Sequence, residues 1–335
     1  MAAPVVGKHS RTATTVQPSG QASSPRMTNR RLLTPAGGLD RHAEPPKDLR
    51  RHSRTSPGFK PMFNRQLVRR IPLNRHGRIF GIGDVHGAFD LVIEGMKAVQ
   101  FDRRVDLLLS VGDLIDRGKG SSRVSKFLDQ SYVHAVAGNH EDMLRKLYAT
   151  GEPPEEVLRW AARHNGFGWW LDTDKATRQA ILNAIRDLPI AIEIETSRGS
   201  VGIVHAEVPI GMSWQQFTAN IEAGDERTIH SALWGESRIK QRDQSGVAGI
   251  GRVFVGHRIQ WKGMQRLGNV YAMDTGATFA EISPAECPEA RLTFANLEMA
   301  TLKLSEPPRS PGRVDHRDGP IPSKPFGAYA RPAVS

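Results

Sequence analysis

Cysteine is nearly absent from this chain. Cys287 is the only one in 335 residues, so no disulfide can form within the chain, and a reducing compartment is the simplest expectation. Long apolar runs are missing too. No stretch approaches the ~20 residues of a membrane span, and the start carries no apolar signal core. A soluble, cytoplasmic protein without a membrane partner is the expectation. Apolar residues make up only 39% of the sequence, low for a compact globule, so part of the length is expected not to pack. Acids are scarce in one region: residues 1–78 hold 16 Lys+Arg and 3 Asp+Glu, a net of +13 against +11 for the whole chain, which leaves −2 for the rest. The pI near 10.1 therefore belongs to the leader. The remainder is not expected to bind nucleic acid.

Residues 1–75 are rich in Pro, Ser, Thr, Gly and Arg without sustained periodicity, and read as a disordered basic leader. Three readings of it stand. It is a solvated tail, or lies upstream of a true start at Met27 or Met62; it is an organelle transit peptide; or it is a basic arm that contacts an acidic partner through Arg50, Arg51, Arg54, Arg69 and Arg70. Residues 301–335, with Pro307, Pro308, Pro311, Pro320, Pro322 and Pro325, read as a second disordered tail. Residues 76–300 form the folded domain. Strands are predicted at 78–82, 105–111 and 133–137, with helices at 89–99, after Gly120 and at 141–148. That alternation implies right-handed crossovers and a parallel sheet. Residues 153–188 read as helical. A hairpin is predicted from 190–194 and 201–205, and later strands at 253–255, 270–273, 278–282 and 291–294. The fold class is α/β: two sheets flanked by helices, one a parallel βαβαβ core and the other mostly antiparallel.

Three segments end apolar runs with metal-binding side chains: Gly83-Asp84-Val85-His86-Gly87, Gly112-Asp113-Leu114-Ile115-Asp116-Arg117-Gly118 and Gly138-Asn139-His140-Glu141. They lie about 25 residues apart, the spacing of a βαβ repeat. Asp84 and His86 can ligate one divalent ion, Asp113 can bridge two, and Asn139 offers a neutral carbonyl oxygen to the second. His205 and His257, each ending a predicted strand, suit the remaining positions. A single strand-end Asp is more often a helix cap and a single His more often a satisfied structural group. Five strand ends with the same chemistry make coincidence the weaker account, and a two-metal phosphate-ester hydrolase is expected. Two ions ~3.5–4 Å apart activate water at neutral pH and neutralise phosphoryl charge, so a metal-bound hydroxide is the expected nucleophile. His140 is the candidate general acid, Asp116 its hydrogen-bond partner, and Arg117 a fork for phosphate oxygens. A dinucleotide site is excluded, because Gly81-x-Gly83 is followed by His86 where a third glycine is required.

These motifs, GDxHG, GDxxDRG and GNHE, resemble the phosphoprotein-phosphatase branch of the calcineurin-like metallophosphoesterases. Within that branch the likeness is to bacterial and phage-lambda-type serine/threonine protein phosphatases, over roughly 78–285. Asn165-Gly166, Asp187-Leu188-Pro189, Leu233-Trp234-Gly235 and Tyr271–Ala277 add to it. The resemblance implies two divalent metal ions, manganese first, with iron, zinc or nickel as alternatives. It places Asp84, His86 and His257 on one ion, and Asn139, His205 and bridging Asp113 on the other. It implies a phosphorylated protein or small phosphoester as substrate.

Relatives carry a second phosphate-binding arginine soon after the Leu-Trp pair. Here Gly235 is followed by Glu236, then Ser237 and Arg238, so Arg238 is the candidate for that role, with Glu236 expected to point away from phosphate. Arg258 follows His257 where relatives show Thr-Pro. Trp160, Trp169 and Trp170 read as core or as cleft lip, and His134 and His164 as bland. Two other functions are carried: a symmetrical diadenosine tetraphosphate hydrolase, disfavoured by Asp116 and Glu141, and a non-catalytic binding module on the same scaffold.

Overall fold

The computed structural model describes residues 66–298. Its first half runs β1 (Val68–Ile71), β2 (Ile79–Ile82), α1 (Phe89–Ala98), β3 (Leu107–Ser110), α2 (Val124–Leu128), β4 (Val133–Ala135) and α3 (Asn139–Leu147). Helices α4 (Glu155–His164), α5 (Gly168–Leu171) and α6 (Lys175–Arg186) lead to the hairpin β5 (Ala191–Ile194) and β6 (Val201–Val204). Helices α7 (Trp214–Glu222), α8 (Glu226–Trp234) and α9 (Ser237–Gln241) precede β7 (Arg252–Val255), β8 (Gln265–Leu267) and β9 (Val270–Ala272). Helix α10 (Ala277–Ile282) and β10 (Phe294–Asn296) complete the described chain.

Two sheets result, ordered β10-β2-β3-β4 and β1-β5-β6-β7-β9-β8. In the first, β2, β3 and β4 are parallel, joined through α1 and α2 as crossover geometry requires. Side chains alternate along each strand and sort into two cores. Ile79, Leu109, Val111, Ile192, Ile203, Phe254 and Tyr271 meet between the sheets. Phe80, Ile82, Leu108, Ala191 and Val253 face the helices. Strands buried on both faces explain the unbroken apolar runs that made them legible. The carboxyl ends of β2, β3, β4, β6 and β7 are followed by the chemically active loops, so the sheet framework fixes where those side chains start.

Several expectations are corrected. The second sheet is mixed: β5–β6 and β8–β9 are antiparallel, whereas β1–β5, β6–β7 and β7–β9 are parallel. The helices α7–α9 carry the chain from β6 back to the start of β7, which makes that pair parallel. The leader reading of 1–75 fails at its end, because Val68–Ile71 pairs in register with Ala191–Ile194, and Ile190 N–H bonds the Leu67 carbonyl at 2.8 Å. Residues 1–65, including Arg50, Arg51 and Arg54, and residues 299–335 lie outside the described residues. The predicted strand at 278–282 is helix α10, which starts beyond Gly276 at φ +76° and buries Thr278 and Phe279. The strand predicted at 291–294 is β10, displaced to 294–296. Among the described residues no helix is long and apolar enough to cross a membrane.

Helix α7 packs onto the second sheet through Trp214, whose indole N–H donates to Glu193 Oε2 at 2.9 Å. A Cβ at Gly202 of β6 would lie 2.5 Å from that ring. Gly202→Ala is therefore expected to destabilise the chain by roughly 1–3 kcal/mol through overpacking. The check is a lower urea midpoint with an unchanged m-value; an unchanged midpoint would show that Trp214 moves aside freely.

Candidate functional site

Backbone geometry marks the site before any side chain is considered. Among the described residues seven non-glycines have positive φ, and five of them are His86 (44°), Asp113 (50°), Asp116 (73°), Arg117 (65°) and His257 (68°). Left-handed backbone is tolerated by Asp and His better than by most residues, and it clusters where function over-determines the conformation. These turns bend each strand end so that its polar side chain faces the neighbouring loop. One close approach helps to set the packing: a Cβ at Gly256 would lie 1.9 Å from Asp84 Oδ1.

The predicted ligands converge. His86 Nδ1 lies 2.7 Å from the Ile115 carbonyl, and His205 Nδ1 lies 2.8 Å from the Val111 carbonyl. Carbonyls only accept, so both rings carry their proton on Nδ1 and present the Nε2 lone pair inward. His205 Nε2 is 2.8 Å and His257 Nδ1 3.0 Å from Asn139 Oδ1. Asp113 lies between two groups: its Oδ2 is 3.5 Å from His86 Nε2 and its Oδ1 is 3.4 Å from His205 Nε2. Ligand atoms of His86, Asp113 and His140 form one cluster within 4.8 Å, and those of Asp113, His205 and His257 form another.

The expected partition is corrected at His257. Its ring joins Asn139 and His205, while its backbone N–H donates to Asp84 Oδ2 at 2.9 Å. The left-handed turn at His257 accounts for this, turning the ring away from β2 while the amide stays against it.

The donor set fits a metal. Asp84 Oδ1 is buried without a hydrogen-bond partner among the described residues. Lone pairs of His205 and Asn139 oppose one another at contact distance, an arrangement that calls for a cation. Burial pushes His205 down to about 4, so it is neutral and competent to ligate at neutral pH. Burial pushes Asp113 up to about 7, and it drives Asp84 up as well, with Asp274 and Asp113 adding repulsion. Asp274, within the Tyr271–Ala277 segment, is a further acidic neighbour of Asp84. It is buried, and its Oδ1 accepts the Gly276 N–H at 2.9 Å.

Beside the ligands lies a proton-handling pair. His140 Nδ1 is 2.6 Å from Asp116 Oδ2, and both residues are buried. The indole of Trp169 donates to Asp116 Oδ1 at 2.8 Å, which makes this tryptophan part of the site. Helical spacing around Trp160, Trp169 and Trp170 gave no signal to single it out, whereas Trp170 is core and Trp160 stacks on His164. Burial pushes Asp116 up, and the Trp169 N–H pulls it back. The Arg117 guanidinium reaches both groups, with Nη1 2.9 Å from His86 Nε2 and Nη2 3.4 Å from His140 Nε2. His134 remains structural, on β4, with burial lowering its pKa.

Arg238 is corrected. It is 1% exposed, its Nη1 pairs with Asp243, and its Nη2 donates to the Val208 carbonyl at 3.4 Å. Its backbone N–H is held by Glu207 Oε2 at 2.9 Å. Helix α9 carries the side chain into this internal pairing rather than leaving it available to a ligand. Glu236 pairs with Lys240 and with Arg258.

These buried acids set a pH dependence for the metal-free protein. Asp113 and Glu141 are both raised to about 7 by burial, with Asp113 adding repulsion at Glu141. In the unfolded chain such groups titrate near 4. Between about 4 and 7 these two groups hold protons in the folded state that the unfolded state has released; His205, neutral when folded, opposes this only up to its unfolded value of about 6.5, so stability falls on balance as pH rises toward 8. Urea midpoints of chelator-treated protein are expected to be lower at pH 8 than at pH 5.5, with divalent metal reducing or reversing the difference. A midpoint that rises with pH in the metal-free protein would contradict the charge description.

A profile of the calcineurin-like phosphoesterases matches residues 77–221. The chain is 29% identical over 218 residues to serine/threonine-protein phosphatase 1 of Salmonella typhimurium, spanning 64% of this chain and 93% of the relative. It is 31% identical over 180 residues to serine/threonine-protein phosphatase 2 of the same organism, spanning 52% and 76%. Over 71 residues it is 41% identical to the symmetrical bis(5'-nucleosyl)-tetraphosphatase of Buchnera aphidicola, spanning 21% and 26%. The region matched by the family profile carries the strand ends that bear Asp84, His86, Asp113, Asn139 and His205, and from this agreement of sequence and site we conclude that the chain belongs to the calcineurin-like phosphoesterase family of metal-dependent phosphoester hydrolases.

Proposed function

We propose that the chain is a phosphomonoesterase of the serine/threonine-protein-phosphatase type, using two divalent ions with manganese as first choice. The observation that carries this reading is the 2.6 Å contact between His140 and Asp116, braced by Trp169, directly beside the ligand clusters. In this reading Asp84 and His86 hold one ion, Asn139, His205 and His257 the other, and Asp113 lies between them. The ions, when bound, acidify the attacking water and neutralise phosphoryl charge.

The side chains do the rest. Asp116 holds the Nδ1 proton of His140, which leaves Nε2 to carry the proton given to the departing alkoxide. The Asp113 Oδ1 acceptance of the His140 backbone N–H at 3.1 Å fixes that histidine at the start of α3. Arg117 gives its fork to the phosphate oxygens. His86 Nε2 has one lone pair, so with a metal there Arg117 Nη1 would be available to substrate oxygens. Water replaces the ester oxygen on phosphorus, and alcohol and phosphate leave.

The diadenosine tetraphosphate reading is favoured by the 41% identity to a symmetrical tetraphosphatase, but that stretch spans only 26% of the relative. The phosphatase likeness spans 93% of its relative and supports the first reading. The catalytic unit is residues 76–300 together with β1. A cytoplasmic setting and a leader that contacts an acidic partner belong to the same proposal; the latter is supported by the charge of residues 1–78.

The full chain with manganese is expected to hydrolyse p-nitrophenyl phosphate and a phosphoserine peptide faster than diadenosine tetraphosphate. His140→Asn should keep its metal while losing roughly 10²–10⁴-fold on the phosphopeptide, and less on nitrophenyl phosphate, whose leaving group needs no proton. Equal losses on both substrates would remove His140 as the acid. Asp113→Asn should lose metal content and turnover together, read by elemental analysis beside the rate.

A further inference from the structure

Arg117 meets the His86–His140 side of the site, and the question is which cation serves the His205–His257 side. Arg238 does not, because its guanidinium is buried against Asp243 and the Val208 carbonyl. The next residue after the ligand His257 is Arg258. Its side chain is 41% exposed, and its Nη1 donates to Glu236 Oε1 at 3.1 Å. A guanidinium has five N–H donors, so this one bond leaves most of the fork for an external acceptor.

The backbone around Arg258 is well held. Its N–H donates to the Gly256 carbonyl at 2.8 Å, and its own carbonyl accepts from Gln260 Nε2 at 2.7 Å. Trp234, two residues before Glu236, sets its ring edge toward the His257 ring with centroids 6.1 Å apart. Trp234 thus packs against the ligand His257, and Glu236, two residues on, pairs with Arg258, the residue after that ligand. Glu236 does not present a bare negative charge there. Its carboxylate pairs with Lys240 on one oxygen and with Arg258 on the other. That carboxylate is shared between two cations.

We infer that Arg258 is the second phosphate-binding arginine of this enzyme and that Glu236 is the residue that positions it. The charge that relatives supply just after the Leu-Trp pair enters here from the residue after His257, and the acid at 236 is its counterion. The assignment rests on the phosphomonoesterase reading above. A bidentate guanidinium–phosphate contact gives directional as well as charge recognition, which a lysine at the same point supplies only in part.

The test uses the manganese-loaded full chain and inorganic phosphate as probe, with calorimetric binding alongside p-nitrophenyl phosphate kinetics. Arg258→Ala is expected to weaken phosphate binding and raise KM by roughly 10- to 100-fold, the size of a lost charged hydrogen bond, with a smaller change in kcat. Arg258→Lys should recover part of the affinity. Glu236→Gln should weaken phosphate binding by less than Arg258→Ala, and the double change Glu236→Arg with Arg258→Glu should bind phosphate better than Arg258→Glu alone. Metal content and melting temperature are measured for each; if Arg258→Ala loses either, Arg258→Lys against wild type carries the comparison. Wild-type turnover with unchanged phosphate affinity in Arg258→Ala, or in Arg258→Lys where that carries the test, would overturn the assignment and leave the phosphatase reading standing. A wild type that neither turns over nor binds phosphate would overturn both.

Discussion

One buried carboxylate holds the site loops together. Glu141, fully buried in the first turn of α3, accepts backbone N–H groups from Gly138 at 2.8 Å, Asp113 at 3.0 Å, Leu114 at 2.8 Å and Ile115 at 3.3 Å. Two of its roles are separable. It caps the helix that carries Asn139 and His140, and it gathers the amides of the loop after β3, which otherwise have no strand partner. Asp113, Asp116 and Arg117 all leave that loop. The ligand between the clusters, the acid's partner and the phosphate fork are therefore positioned by a residue that touches none of the chemistry. Charged hydrogen bonds of this kind are strong in a dry interior, and losing the acceptor strands four buried donors at once.

That arrangement also explains how the site tolerates so many acids. Asp84, Asp113, Asp116, Glu141 and Asp274 are all buried within one region. They are met by amides, an indole or imidazoles, and the Arg117 guanidinium reaches into the cluster. Electrostatic cost is spread over many donors and is relieved further when a cation occupies the ligands.

The ligands were legible in the sequence because each follows a short apolar run, and a strand buried on both faces writes itself as such a run. Asp84, His86, Asp113, Asn139, His205 and His257 could be named for that reason. What could not be read was which ring meets which partner. The grouping of His257 depends on a left-handed turn at a single residue, and no pattern of residue types encodes that. Helix α10 misled because Thr278, Phe279 and Ile282 favour strands, while the αL glycine before them starts a helix. Strand β1 was hidden by its basic, proline-flanked surroundings, since a four-residue edge strand with two arginines, one half-buried and one exposed, has almost no apolar signature. Trp169 and Arg258 escaped assignment because their parts follow from three-dimensional neighbours, Asp116 in one case and Glu236 in the other.

The left-handed residues at the strand ends have a consequence for how this protein can change. Each such backbone conformation costs about 1–2 kcal/mol for a residue with a Cβ. Glycine at His86, Asp113, Asp116 or His257 would relax that strain and, at the aspartates, delete a buried charge as well. Five of the seven positions where glycine would relieve such strain among the described residues are thus ones whose side chains form the proposed site. Laboratory selection of this scaffold for heat resistance alone, without a turnover screen, has an open route toward a sturdier and inert protein.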